Sequence, residues 1–431
     1  MDGAVPSRTT MVTGAFEEAA RAFLAAQQMR AASPGDAVAG VQPGLVVEPG
    51  DAPELAKILK LANEAGLAVI PRGGGTKVAW GNPPTRADVI LSTARLNRVI
   101  EHAWADMTAT VEAGCTVQAL QETLAQHGQR LALDSLWPGQ ATVGGVLSTN
   151  DGGVLRLRFG ALRDLIIGVT LALPDGTLAS SGGKVVKNVA GYDLPKLATG
   201  AFGTLGVITR AVFRLHPLPK ETRTISCLAR DLPEAQRLLL TIQGSQLAHS
   251  ALQVRCVEGA PPQVDILFEG GEAGLIAQAQ HLKSILAPAL LTDPGPVVWS
   301  ARRELYSAAK SGESNSVVAK ISVLPAGIAH ALATLASASA TGVRCNAVVQ
   351  ATGIGCVHVE GESATIVSAL KSLRAELERT NGSLVIAHRP ASMPPLDAWG
   401  EPGDTLPLMR AIKRQLDPKA TLNPGRFVGG I

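Results

Sequence analysis

The chain has 431 residues, 46% of them apolar and 17% charged, which suits a folded protein of roughly two to three domains and excludes a disordered one. A net charge of +3 with no long basic run, and aromatics at only 3%, give no reason to expect nucleic acid or an anionic membrane as partner. The longest apolar stretch, Leu165–Pro174, is about half a bilayer span, so no transmembrane helix is expected. Asp2, Glu17 and Glu18 stand where a secretory leader would carry basic then apolar residues, which points to the cytoplasm.

In chain order, Leu45–Val47 reads as a short strand, and Asp51 as the cap of a helix with Pro53 in its first turn and Glu54 three residues after the cap. Leu55, Ile58, Leu59 and Ala62 share one face of that helix, and Gly66 ends it. Leu67–Ile70 reads as a second strand that delivers the chain into Pro71-Arg72-Gly73-Gly74-Gly75-Thr76. Another unit starts with a strand over Ala109–Val111, continues through a helix carrying Leu120 and Leu124, and enters a glycine-rich tract that runs to Gly153. Strands over Ile166–Leu173 and Val207–Leu215 follow, and His216-Pro217-Leu218-Pro219 marks a boundary. Beyond it, helices starting at Asp231 and carrying Leu275, Leu282 and Leu286 alternate with short strands. From Val317 the predicted order is β-α-β-β-α-β, the ferredoxin-like signature, with two strands around Gly353 and the last at Leu384–His388. A helix with Met409, Ile412 and Leu416 precedes the end of the chain. No internal repeat is evident.

Three successive glycines after a buried strand permit close backbone approach, so the 73–76 loop suits an anion such as a pyrophosphate as well as it suits a tight turn. A β-branched residue at Gly74 is expected to evict the phosphates while sparing the fold. The spacing matches neither Gly-x-Gly-x-x-Gly nor the P-loop. Thr142-Val143-Gly144-Gly145, with Ser148 and Thr149, reads as a second such loop, and two of them suggest a ligand as long as a dinucleotide. Five cysteines stand singly, so no disulfide framework, zinc site or iron–sulfur cluster is encoded.

These loops, together with Lys187-Asn188-Val189-Ala190-Gly191-Tyr192-Asp193 and Gly203-Thr204-Leu205-Gly206-Val207-Ile208-Thr209, resemble the FAD-binding domain of the p-cresol methylhydroxylase and vanillyl-alcohol oxidase superfamily. The tail Leu422-Asn423-Pro424-Gly425-Arg426-Phe427 is similar to its 2-hydroxyacid oxidase branch, and within that branch to the FAD-binding E subunits (GlcE) of bacterial glycolate oxidase. The resemblance implies a helical extension over 1–37, an FAD-binding domain over 38–219 in two subdomains (about 38–104 and 105–219), and an α+β C-terminal domain over 220–431 whose tail returns towards the flavin. It implies FAD contacts from Pro71, Arg72, Gly73, Gly74, Gly75, Thr76, Lys77, Gly114, Pro138, Thr142, Gly144, Gly145, Ser148, Thr149, Val207 and Ile208. Relatives with covalent flavin place His where this chain has Thr76, so noncovalent FAD is expected.

Departures from the family pattern are as informative. Self-sufficient members carry His-x-Gly-Asp-Gly-Asn-x-His and a later Glu-His pair, which hold a metal and orient substrate. Here the first segment runs from Ala351 to His358 with Ile354 and Cys356 inside it, and the pair is Ala387-His388. No metal site is expected, and His358 and His388 read equally as ordinary strand-end histidines. Lys187 or Arg426 would offset charge on a reduced flavin, or contact phosphate or solvent. Tyr192 would touch substrate or simply pack its loop. The resemblance thus implies the FAD-binding subunit of a glycolate-oxidising complex, with a related catalytic flavoprotein, an iron–sulfur subunit and a small 2-hydroxyacid as partners, in the cytoplasm or peripheral on the membrane's inner face through the complex. The alternatives are a self-contained FAD oxidoreductase acting on 2-hydroxyacids or alcohols, and a non-catalytic assembly subunit that keeps the fold.

Overall fold

A computed structural model describes residues 8–184, 192–311, 315–338, 342–390, 393 and 396–431. The chain divides into two compact units. Unit 1 comprises Met1–Gly152, Leu162–Pro217 and Glu401–Ile431, and unit 2 comprises Gly153–Ala161 and Leu218–Gly400.

Unit 1 holds two main sheets. In the first, β1 (Met29–Ala31), β2 (Leu45–Val47), β3 (Val69–Arg72) and β4 (Val89–Ser92) lie in the order β1-β2-β4-β3. β2, β4 and β3 are parallel, and β1 runs antiparallel to β2. Parallel neighbours need a crossover, and the helix Ala52–Glu64 provides it between β2 and β3. Its start follows the expectation: the Asp51 side chain accepts the Glu54 N–H at 2.8 Å. Leu55, Ile58, Leu59 and Ala62 are buried against Leu45, Val47, Val69, Val89 and Leu91. The segment before residue 38 is more than a helical extension, because after the helix Arg8–Arg21 it supplies β1, and Phe16, Ala20, Leu24 and Met29 join the same core.

The second sheet is antiparallel. β5 (Val99–Ala103), β6 (Thr108–Glu112), β8 (Ile166–Ala172), β9 (Leu178–Gly182) and β10 (Val207–Arg214) lie in the order β5-β6-β10-β8-β9, while β7 (Gln129–Arg130) pairs separately with β11 (His216–Pro217). The helix Val117–Ala125 packs Leu120 and Leu124 into this sheet's core. The C-terminal segment belongs to unit 1, where Leu422 bridges in parallel to Val69 beside β3. Buried Lys413 anchors it by donating to the Thr204 and Leu422 carbonyls and pairing with Asp417 at 2.6 Å. A linear partition at residue 219 leaves out two excursions, of which the return of the tail was expected. Residues 401–431 pack with unit 1, and the helix Arg156–Phe159 joins unit 2, with Leu157 against its core.

Unit 2 is one eight-stranded antiparallel sheet. Its strands are β12 (Glu221–Leu228), β13 (His249–Cys256), β14 (Gln263–Gly270), β15 (Leu291–Thr292), β16 (Ser316–Ser322), β17 (Arg344–Gln350), β18 (Ile354–Glu360) and β19 (Ser383–His388), in the order β15-β12-β14-β13-β17-β18-β16-β19. The β-α-β-β-α-β path read from Val317 onward is present with helices Ile328–Ser337 and Ser363–Arg379. An equal path, unforeseen, precedes it: β12, helix Leu232–Gln243, β13, β14, helix Glu272–Leu286, β15. Each path orders its strands 4-1-3-2, and the two join where β13 pairs with β17.

Candidate functional site

β3 is buried at Val69 and Ile70 and ends at Arg72, so it presents the following glycines at the edge of unit 1's core. Gly75 has φ +71°, a conformation glycine adopts without strain. Gly73 and Gly74 are required by proximity instead. A Cβ on Gly73 would lie 2.0 Å from Thr142 Oγ1, and one on Gly74 would lie 1.8 Å from the Gln140 carbonyl oxygen. A side chain at Gly74 would thus collide with the backbone at Gln140, so valine there is expected to disturb the loop itself as well as the approach of phosphates. Among the described residues, the N–H groups of Gly73, Gly74, Gly75 and Thr76 meet no acceptor in the chain. Four consecutive N–H groups on one partly exposed glycine loop are thus available to an anion.

The stretch from Thr142 is a helix start rather than a second loop. The helix Val143–Thr149 is capped by Thr142 Oγ1, which accepts the Gly145 N–H at 3.3 Å. The Val143 and Gly144 N–H groups bond to the Cys115 and Ala113 carbonyls at 2.9 and 2.8 Å. Its glycines serve close packing, because a Cβ on Gly144 would come within 2.8 Å of the Ala113 Cβ. No donor of Val143–Gly145 remains for an anion, and this tract supplies wall rather than cradle.

Both stretches line one open cleft. It gathers Pro71–Lys77, Thr142, Gly144, Gly145, Ser148, Thr149, Val207 and Ile208, fourteen of the sixteen positions that the resemblance implied. Gly114 and Pro138 do not line it. Gly114 is a packing glycine, with a Cβ position 1.8 Å from the Thr93 carbonyl oxygen, and the Pro138 carbonyl accepts the Gln118 N–H. Val78, Thr93, Phe202, Gly203, Gly206 and Asn423 line the cleft without having been singled out. Phe202, Gly203 and Asn423 lie inside or beside the motif runs that carried the resemblance, so that signal was available.

The cleft's cations are individually held. Arg72 Nη1 donates to Asp36 at 2.8 Å. Hydrogen bonding by Arg30, ahead of that by Ser33 and Arg72, holds the Asp36 carboxyl well below the usual range despite its burial. Lys77 pairs with fully buried Asp151 at 3.0 Å and lies over the rings of Trp80 and Trp137. Arg426 donates to Asn423 Oδ1 and to the Val78 and Trp80 carbonyls and faces the Phe202 ring, and burial pulls its pKa down to about 10. Asp36 and Asp151 escaped the sequence reading, because nothing local marks an acid whose partner is distant in the chain.

The other candidates do not gather here. Lys187 lies outside the described residues. Tyr192 is 89% exposed, and Asp193 caps the helix Leu194–Ala198 while pairing with Lys196, which is a turn role. His358 and His388 belong to unit 2, where both register opposite Val318 on either side of β16. His358 is 2% exposed, neither ring nitrogen has a partner among the described residues, and burial lowers its pKa. Among the described residues, no group of three or more His, Cys, Asp or Glu side chains is placed to hold a metal.

Comparison with known proteins bears directly on the cleft. Residues 43–182 match the family model described as FAD binding domain. That stretch carries an FAD-binding domain. Residues 399–427 match the C-terminal domain of FAD linked oxidases, the segment that brings Asn423 and Arg426 to the same cleft. The fold of this FAD-binding protein is similar to that of p-cresol methylhydroxylase, with a TM-score of 0.75 at 14% identity over 96% of each chain. It is also similar to alkyldihydroxyacetonephosphate synthase, with a TM-score of 0.76 at 20% identity over 99% of this chain and 87% of the other. In sequence it is 28% identical to glycolate oxidase subunit GlcD of Bacillus subtilis, over 64% of this chain and 57% of that protein. It is 34% identical to D-lactate dehydrogenase of Archaeoglobus fulgidus, over 50% and 48%. Thus the chain spans only about half the length of these two relatives. With D-2-hydroxyglutarate dehydrogenase of Xanthomonas citri it shares 27% identity over 89% of both chains. The cofactor class fits the cleft, because the unpaired N–H groups of Gly73–Thr76 suit a diphosphate and the bare glycine backbones leave it room.

Proposed function

We propose that the chain binds FAD noncovalently in this cleft and serves as the FAD-binding subunit of a 2-hydroxyacid oxidoreductase, a glycolate oxidase of the GlcE type. FAD would supply two-electron oxidation of the hydroxyacid and carry the electrons to an acceptor. The single observation that carries the cofactor reading is the run of unpaired N–H groups at Gly73–Thr76 within a cleft. Thr76 offers no ring nitrogen for a covalent flavin link, which favours noncovalent binding. The chain's own residues would hold the diphosphate on the loop, with Phe202, Val207 and Ile208 giving the cleft apolar surface and Arg426 a buried positive charge.

The subunit reading draws on what unit 2 lacks. At the positions where self-sufficient relatives are expected to bind metal and substrate, this chain has Ala351, Ile354 and Cys356, and His358 is buried in the sheet. Substrate orientation would then come from a related catalytic flavoprotein, and onward one-electron transfer from an iron–sulfur subunit. No helix among the described residues is long and apolar enough to cross a membrane, so attachment to one would be peripheral, with the chain otherwise cytoplasmic. A second reading, a self-contained 2-hydroxyacid dehydrogenase, is favoured by the end-to-end match with D-2-hydroxyglutarate dehydrogenase.

The deciding experiment is a visible spectrum of the purified chain before and after glycolate, alone and with its partner subunits, followed by acid precipitation. Flavin released into the supernatant, and bleached by glycolate only when the partners are present, is the expected result. Bleaching by the chain alone would select the second reading, and absence of flavin would refute both.

A further inference from the structure

The loop that cradles the anion is braced by a residue outside the matched FAD-binding stretch. Asp36, 5% exposed, accepts five hydrogen bonds: two from the Arg30 guanidinium at 2.8 and 2.9 Å, one each from the Ser33 N–H and hydroxyl at 2.8 Å, and one from Arg72 Nη1 at 2.8 Å. Arg72 lines the cleft beside the unpaired N–H groups, with its Cδ 4.0 Å from the Cβ position of Gly75. Its Nε and Nη2 donate to nothing among the described residues. Its guanidinium is therefore fixed at one nitrogen and uncommitted at two.

We propose that Asp36 is a positioning residue for the FAD diphosphate, acting through Arg72, so that the segment around β1 is part of the cofactor site. The proposal rests on the reading that FAD occupies this cleft. A guanidinium donates strongly to a phosphate only in a defined orientation, and Asp36 sets that orientation before the cofactor arrives. Charge alone predicts the opposite sign. Two guanidinium groups on one carboxylate leave the cluster with one net positive charge, and removing the carboxylate would raise it and tighten an anion.

The test uses the flavin-depleted full chain and two probes, FAD and riboflavin, the second lacking the diphosphate. Asp36→Asn is expected to weaken FAD about tenfold, the scale of one charge-assisted hydrogen bond. It should leave riboflavin affinity unchanged and add nothing to the FAD loss in an Arg72→Met background, while the flavin-free chain melts lower because Arg30 and Ser33 lose a charged acceptor. Unchanged or tighter FAD binding by Asp36→Asn overturns the proposal, as does equal weakening of both probes or full additivity with Arg72→Met. If Asp36→Asn yields no folded protein, Asp36→Glu, which keeps the charge but moves the oxygens, is held to the same outcomes. Failure of the unaltered chain to bind FAD would instead refute the cofactor reading itself.

Discussion

Alanine at Gly73 and at Gly74 should fail for different reasons that can be told apart. At Gly74 the new methyl carbon falls 1.8 Å from the Gln140 carbonyl oxygen and 2.9 Å from the carbonyl carbon, both backbone atoms. The glycine loop and the 140–142 segment must part by about an ångström or more, at an overpacking cost of about 1–3 kcal/mol. At Gly73 the collision, at 2.0 Å, is with Thr142 Oγ1, and the nearest other atoms of that side chain lie at 3.2 and 3.3 Å. Thr142→Ala removes the colliding oxygen while forfeiting the cap on Gly145, worth about 1 kcal/mol. Gly73→Ala alone should cost about 2 kcal/mol, yet adding Thr142→Ala should bring the total back to about 1 kcal/mol, whereas Thr142→Ala should not rescue Gly74→Ala, whose clash is with backbone. Melting temperature reads this at roughly 2–4 °C per kcal/mol for a unit of this size, and flavin retained per chain reads the cradle. The reasoning is refuted if Gly74→Ala keeps both its flavin and its melting temperature, or if Thr142→Ala fails to rescue Gly73→Ala.

Lys77→Met strands the buried carboxylate of Asp151 and should destabilise unit 1 by about 3–5 kcal/mol in urea melts. The double variant with Asp151→Asn, which can still accept the Leu136 N–H, should recover at least half of that loss. FAD affinity should fall less than about threefold between low and moderate salt, because its anionic part meets backbone N–H groups and cations already paired to Asp36 and Asp151; a steep decline in titrations would point to free surface lysines instead. Burial lowers the His358 pKa below 6.5, so on acidification the unfolded chain takes up this proton first. Stability of unit 2 should then be full above about pH 6.5 and decline as the pH falls towards the folded-state value, by at most about 1.4 kcal/mol per pH unit from this group. His358→Leu should flatten that slope in denaturant melts across pH 5–8, and an unchanged slope would show that the ring is not buried neutral.

The glycine loop was legible because three glycines after an apolar strand have few uses, although the atoms that crowd Gly73 and Gly74 belong to Thr142 and Gln140. The Thr142 tract was misread because a helix start and a phosphate loop share the same vocabulary of threonine and glycine. What separates them is whether the N–H groups find carbonyls, and those come from Ala113 and Cys115, some thirty residues away. Asp36, Asp151 and Lys413 were invisible for the same reason. Each is an ordinary charged residue in its neighbourhood, and only the folded chain sets Asp36 on Arg72, Asp151 on Lys77, and Lys413 on the Thr204 carbonyl. The tail's place in unit 1 rests on bonds such as that from Lys413 to the Thr204 carbonyl, so the prolines at 217 and 219 say nothing of it, and its return was expected only from the family resemblance of residues 422–427.

Unit 2 shows why a duplicated path can leave no visible sequence repeat. Each half needs only apolar residues on the strand face that meets its helices, and different residues meet that need: Ile225, Cys227, Leu252, Val254, Val264 and Ile266 in one half, and Val317, Ala319, Ile321, Ala347, Val349, Val357 and Val359 in the other. The opposite face is free to diverge. In the first half it carries buried Asp265, which accepts from Ser226, Gln253 and Arg255. In the second it carries Cys356, with the Tyr306 hydroxyl 3.8 Å from its sulfur, and His358. A slip of one residue along β18 would drive both of these polar groups into the helix-facing core and expel Val357 and Val359, so the register is held by the whole pattern rather than by any one contact. His358 is therefore buried neutral as a consequence of strand alternation. Its titration should report the folding of the sheet, and a role in moving a substrate proton would require the sheet itself to open.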